Sequence, residues 1–78
     1  MSEEKIHVTA YSGYRGEETP RDFTLDGRRI EVVEIQERWI EEGIGDTTTK
    51  RFFKVKGSDG RLYKIFYDEE RKEWYHKP

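Results

Sequence analysis

The chain has 78 residues, 32% hydrophobic and 41% charged, with a net charge of −2 at neutral pH and no cysteine. A mean hydropathy of −1.12 leans toward disorder, but two Trp, five Tyr and four Phe can build one small core, since each buries roughly 150–250 Å². Disulfides, thiolate chemistry and Cys-type zinc sites are excluded. No apolar run reaches the roughly 20 residues of a membrane span, and the opening Met-Ser-Glu-Glu-Lys does not read as a signal peptide. The expectation is one cytoplasmic domain over residues 1–78.

Ile6, Val8 and Ala10 alternate with His7, Thr9 and Tyr11, which predicts a half-buried strand. Residues 12–16 have loop chemistry, and Glu17-Glu18-Thr19-Pro20 is a poor start for a central strand. Phe23 and Leu25 lead into Asp26-Gly27, a strong two-residue hairpin signal because both positions tolerate positive φ. That turn sets Phe23 opposite Ile30. Over residues 30–40, Ile30 and Val32 lie on one parity while Val33, Ile35 and Trp39 lie on the other. A bulge near Val32-Val33 accommodates the change within a strand; a helix capped at Gly43 also fits the spacing. β-branched content, the preceding hairpin turn and Glu41-Glu42 at what would be the negative end of a helix favour the strand.

Residues 41–49 read as a polar loop. Two further strands flank Gly57-Ser58-Asp59-Gly60, with a three-residue loop and Gly60 left-handed. That register places Phe53, Val55, Tyr63 and Ile65 on the core face and Phe52, Lys54, Lys56, Leu62, Lys64 and Phe66 on the other. Residues 68–72 turn the chain, and Trp74-Tyr75-His76 forms a short last strand. The reading is all-β: an antiparallel meander of five or six strands forming a small, partly open SH3-like or OB-like barrel.

The string Asp26-Gly27-Arg28-Arg29-Ile30, Val32-Val33-Glu34-Ile35, Arg38-Trp39, Arg51-Phe52-Phe53-Lys54-Val55, Asp59-Gly60, Leu62-Tyr63 and Trp74-Tyr75 resembles a family of small bacterial domains of unknown function. Its pattern is Gly-Arg, an apolar strand, Arg-Trp, a loop, a hairpin and a terminal aromatic strand. The resemblance covers most of residues 20–76, and similar domains occur attached to proteins related to Y-family DNA polymerases. It implies an all-β fold and carries over no catalytic residues. Residues 1–20 and the loop at 43–49 match nothing in that pattern.

Charge is divided along the chain: residues 1–49 hold six basic and twelve acidic side chains, residues 50–78 nine and five. Such halves pair across neighbouring strands or form a basic face. No catalytic, cofactor or metal site is expected. His7 and His76 are the only histidines, the acidic pairs lack calcium-loop spacing, and no serine sits in a nucleophile elbow. The expected function is non-catalytic binding of a protein partner, or self-association, with Tyr11, Tyr14, Trp74 and Tyr75 as interface aromatics and an edge strand open to peptide addition. Trp39 is expected in the core.

The alternative is single-stranded nucleic acid on a face of Arg51, Phe52, Lys54, Lys56, Arg61, Lys64 and Phe66, where lysines hold phosphates and phenylalanines stack bases. Against it, Phe52 and Phe66 suit a second small core covered by lysine stems, and a pI near 5.7 is far from the value above about 9 usual for nucleic-acid-binding domains.

Overall fold

The structure, a computed structural model, describes residues 3–12, 18–43 and 49–78. Six strands follow one another: β1 (Glu4–Ser12), β2 (Glu18–Leu25), β3 (Arg28–Glu42), β4 (Thr49–Gly57), β5 (Leu62–Asp68) and β6 (Glu73–His76). Each is antiparallel to the next, and β6 returns to β1 to close a barrel. The segment from 31 to 42 is strand throughout, not helix.

Turn chemistry sets the two hairpins. Asp26 and Gly27 both take positive φ, 53° and 76°, the geometry of a type I′ turn whose twist matches its strands. Phe23 therefore faces Ile30. Gly60 is left-handed at φ 84°, and the main-chain N–H of Gly57 donates to the Arg61 carbonyl at 2.8 Å, leaving residues 58–60 as the loop. Ser58 ties this loop to β3: its N–H donates to the Glu31 carbonyl, and its Oγ accepts from the Glu31 N–H. At the β5–β6 turn, Asp68 is buried and its Oδ1 accepts from the N–H groups of Glu70 and Arg71.

β1 and β3 each serve two partners, and this bends the sheet shut. β1 pairs β6 through Glu4, Lys5 and Ile6, then β2 from His7 onward. β3 pairs β2 only from Arg28 to Glu31, and β4 from Val32 to Glu42. Pro20, doubtful at the sequence level as part of a strand start, lies within β2 beside a bulge, where the register to β1 shifts between Thr9 and Ala10. At that height β2 pairs β1 and not β3, so Pro20 has a strand neighbour on one side, the edge setting in which sheets tolerate proline.

The core holds Ile6, Phe23, Ile30, Phe53, Val55, Tyr63, Ile65 and Trp74, with Val8, Ala10, Leu25, Val32, Ile35 and Tyr67 packed against them. Phe23 meets Tyr63 edge-on at 5.2 Å, and Trp74 lies between Phe53 and Tyr67.

The bulge expected at Val33 is present, and a second one follows at Gln36. Two shifts return β3 to its first parity, so Val32, Ile35, Arg38 and Ile40 face Gly57, Val55, Phe53 and Arg51. Trp39, expected in the core, is turned to the outer face.

Candidate functional site

The outer face of β3–β6 is organised in rows that run across the strands, because directly opposed residues in an antiparallel sheet project side by side. The central row is aromatic: Trp39 opposes Phe52, Phe52 opposes Phe66, and Phe66 opposes Tyr75. The rings stack in sequence, with centroids 5.3, 4.8 and 5.2 Å apart and interplanar angles of 8°, 29° and 19°. Lys77 Nζ lies 5.6 Å from the Phe52 centroid and Lys50 Nζ 5.3 Å from that of Phe66. Phe52 and Phe66 are each only 2% exposed.

Charged rows flank the rings. On one side Glu37 opposes Lys54 and Lys54 opposes Lys64; beyond them Glu34 opposes Lys56, which opposes Leu62. On the other side Glu41, Lys50, Asp68 and Glu73 oppose one another in turn. The Trp39 indole N–H donates to Glu41 at 2.9 Å. The Tyr75 hydroxyl donates to Glu73 at 2.8 Å and accepts from Arg71. Lys5, opposite Tyr75, bridges to Glu73 at 2.7 Å, which holds the Glu73 carboxyl below its ordinary range.

Of the expected basic-face residues, Phe52, Lys54, Lys56, Lys64 and Phe66 share this surface, but not as stacking platforms between free lysines, and Arg51 falls on the other parity, opposite Ile40 and Tyr67. Phe52 and Phe66 are buried within the ring row, because Trp39 and Tyr75 flank them and lysines lie over them. Lys54 comes within 3.9 Å of Glu37, Lys56 stands opposite Glu34, and Arg51 pairs with Glu69. Arg61 is exposed at the hairpin tip, and Lys64 is exposed in the row beside the rings. The charge division of the sequence is largely a cross-strand match of acidic β3 with basic β4.

The interface aromatics separate. Trp74 is a core residue, 7% exposed, and Tyr75 ends the ring row. β6 is not an edge, since it pairs both β5 and β1. The backbone of Tyr11 runs in β1 opposite Thr19; Tyr14 lies outside the described residues. His7 is exposed and opposite Thr24, whereas His76 meets the Tyr63 ring edge-on, so the two histidines do not converge. Among the described residues no group of three or more His, Cys, Asp or Glu is placed to hold a metal ion, and no helix is long and apolar enough to cross a membrane.

The edge that does exist was not legible. Among the described residues, β3 from Val32 to Glu42 pairs on one side only. Val33 is 60% exposed and Ile40 56%. A cleft of about 190 Å³ lies between Thr19, Pro20 and Arg21 of β2 and residues 32–35 of β3. A second hollow of about 380 Å³, bounded by Arg38, Trp39, Ile40 and Phe53, follows further along the same strand. Comparisons with protein-family models, with curated proteins and with solved structures give no match to this chain.

Proposed function

We propose that this domain is a non-catalytic module that binds an extended segment of a partner protein as an added strand on β3. The observation supporting this is that, among the described residues, β3 pairs on one side only from Val32 to Glu42, with Val33 and Ile40 exposed along it. An unpaired strand edge offers a row of N–H and C=O groups to an incoming chain, and side-chain pockets then give selectivity. Val32, Ile35 and Ile40 would stand beside one face of the added strand, and Glu34, Glu37 and Glu41 beside the other. The matching partner alternates apolar and basic residues. Pairing with a second β3 is disfavoured, because the open stretch from Val32 to Glu42 carries Glu34, Glu37, Glu41 and Glu42 against Arg38 alone.

The test is a titration of labelled peptides of about ten residues, the length of a long strand, alternating Lys with Val or Glu with Val. Anisotropy should rise with the lysine peptide and not with the glutamate peptide. Val33→Asp with Ile40→Asp should abolish the rise. Equal response to both peptides, or binding unchanged in the double variant, refutes strand addition at this edge.

A further inference from the structure

The lysine row beside the rings is a surface that strand addition does not use, and it meets the open edge of β3 at Glu37 and Trp39. Lys54 and Lys64 are directly opposed on β4 and β5. The Lys77 N–H donates to the Lys64 carbonyl at 2.8 Å, which carries the line one strand further. Three lysines thus stand side by side across the sheet, an arrangement that repels itself when like charges oppose directly. Among the described residues only Glu37 offsets it, 3.9 Å from Lys54; Lys64 and Lys77 have no salt bridge there. The surface is also hollowed, with a depression of about 480 Å³ bounded by these lysines, Trp39 and Leu62.

We infer that this line is a site for single-stranded nucleic acid, with successive phosphates on Lys54, Lys64 and Lys77 and one unpaired base on Trp39. Neighbouring strands are about 4.8 Å apart, so the three lysines spread over roughly 10 Å at their base. One phosphate does not bridge that span, whereas a phosphodiester chain crossing the strands does. Trp39 supplies what a bare lysine row lacks. Phe52 covers one of its faces at 5.3 Å and 8°, and no ring among the described residues covers the other, because the row of strands ends at β3. The ring stack is therefore open at this end to one more planar group, and a base in a single strand is free to occupy it. A duplex keeps its bases stacked inside and gains nothing from Trp39. The surface uses Trp39 and Lys77 in place of the buried Phe52 and Phe66.

The experiment is fluorescence anisotropy with a labelled oligothymidylate of about a dozen nucleotides, within the range of single-strand site sizes. A duplex of equal length is the competitor, and circular dichroism checks each variant's fold. Affinity should fall with salt at a log–log slope near −2, about −0.7 for each phosphate contact. Lys64→Gln with Lys77→Gln should bring the slope to about −0.7 and weaken binding to every sequence alike. Trp39→Leu should weaken binding roughly 5- to 100-fold with the slope unchanged. Glu37→Gln, which releases Lys54, should tighten it a few-fold. No binding by the unaltered chain at low salt, an unchanged slope in the lysine variant, or equal competition by duplex together with no loss in Trp39→Leu would each overturn the inference.

Discussion

Phe52→Leu is the sharpest probe of whether the outer ring row stabilises the fold. Phe52 is 2% exposed and stacked on both sides, against Trp39 at 5.3 Å and Phe66 at 4.8 Å. Leucine keeps most of the apolar volume, so the burial contribution is largely retained, but both stacked pairs are lost. Each such pair contributes about 0.5–1.5 kcal/mol beyond burial, which makes the expected loss about 1–3 kcal/mol. Trp39→Leu breaks one stack, plus a hydrogen bond to Glu41 that is exposed, so its loss should be about 0.5–1.5 kcal/mol. In a domain of this size, where the total is about 3–5 kcal/mol, the difference is measurable. Urea unfolding at neutral pH reads it directly: with m near 1 kcal/mol/M, the Phe52→Leu midpoint falls by about 1–3 M at constant m. A Phe52→Leu midpoint equal to that of the unaltered chain, or a Trp39→Leu loss larger than the Phe52→Leu loss, refutes the row as a stabilising unit.

Gly57→Ala should cost about 1–3 kcal/mol by overpacking, because a Cβ there would lie 2.6 Å from Ile30 Cγ2 and 2.8 Å from Asp59 Oδ1; thermal melts should show a drop of roughly 4–8 °C per kcal/mol. Gly27→Val should cost about 1–2 kcal/mol through backbone strain alone, since φ is 76° and the space around it is open; the same melts check it, with Asp26→Asn as a near-neutral control. The hydrogen bond from the Arg29 guanidinium, 3.0 Å from the buried Asp22, is the main reason its carboxyl lies below the ordinary range, with a Thr9 hydrogen bond adding to it. A depressed folded value means the stabilisation is complete above the unfolded carboxylate value, near pH 4, and is lost as pH falls through the folded value. Asp22→Asn should therefore lower the urea midpoint at neutral pH and converge on the unaltered chain in acid; a constant difference across pH refutes the assignment. Asp59, held down chiefly by the Tyr63 hydroxyl, should behave alike in Tyr63→Phe.

The hairpins were legible because their turns need residue types few other structures need. Asp26-Gly27 and Gly60 name positive φ directly, and alternation then assigns Phe23, Ile30, Phe53, Val55, Tyr63 and Ile65 to one interior. The bulge at Val33 was legible because apolar residues flank it on opposite parities. The one at Gln36 was not, because Gln36 and Glu37 are polar and no apolar residue marks the shift. With a single bulge Trp39 would fall on the core parity, the source of its expected burial. Cross-strand chemistry held the missing signal: only with two shifts does Glu37 meet Lys54, Trp39 meet Phe52 and Glu41 meet Lys50. One shift would set Glu37 against Phe53 and Trp39 against Arg51. The open edge of β3 was hidden for a different reason, since it arises where a fifteen-residue strand outruns its neighbour, and no local pattern records the length of a partner.

The same register argument explains why so charged a chain needs aromatic residues outside its barrel. The interior of a six-stranded barrel this small is filled by the eight buried residues of the core, and little apolar area remains for the outer surface of β4 and β5. Phe52, Phe66 and their flanking rings form a second apolar layer there, with the ammonium groups of Lys50 and Lys77 over the Phe66 and Phe52 rings. That layer separates a row of net positive charge, Glu37 with Lys54, Lys64 and Lys77, from a row of net negative charge, Glu41 with Lys50, Asp68 and Glu73. Lys50 and Lys54 mark the two rows four residues apart on β4, roughly 13 Å at the rise of a strand. That exceeds the Debye length of about 8 Å at physiological ionic strength, so each row keeps its own sign toward solvent. The overall pI conceals this polarity. A nearly neutral chain thereby carries a basic strip on one side of its rings and an acidic strip on the other.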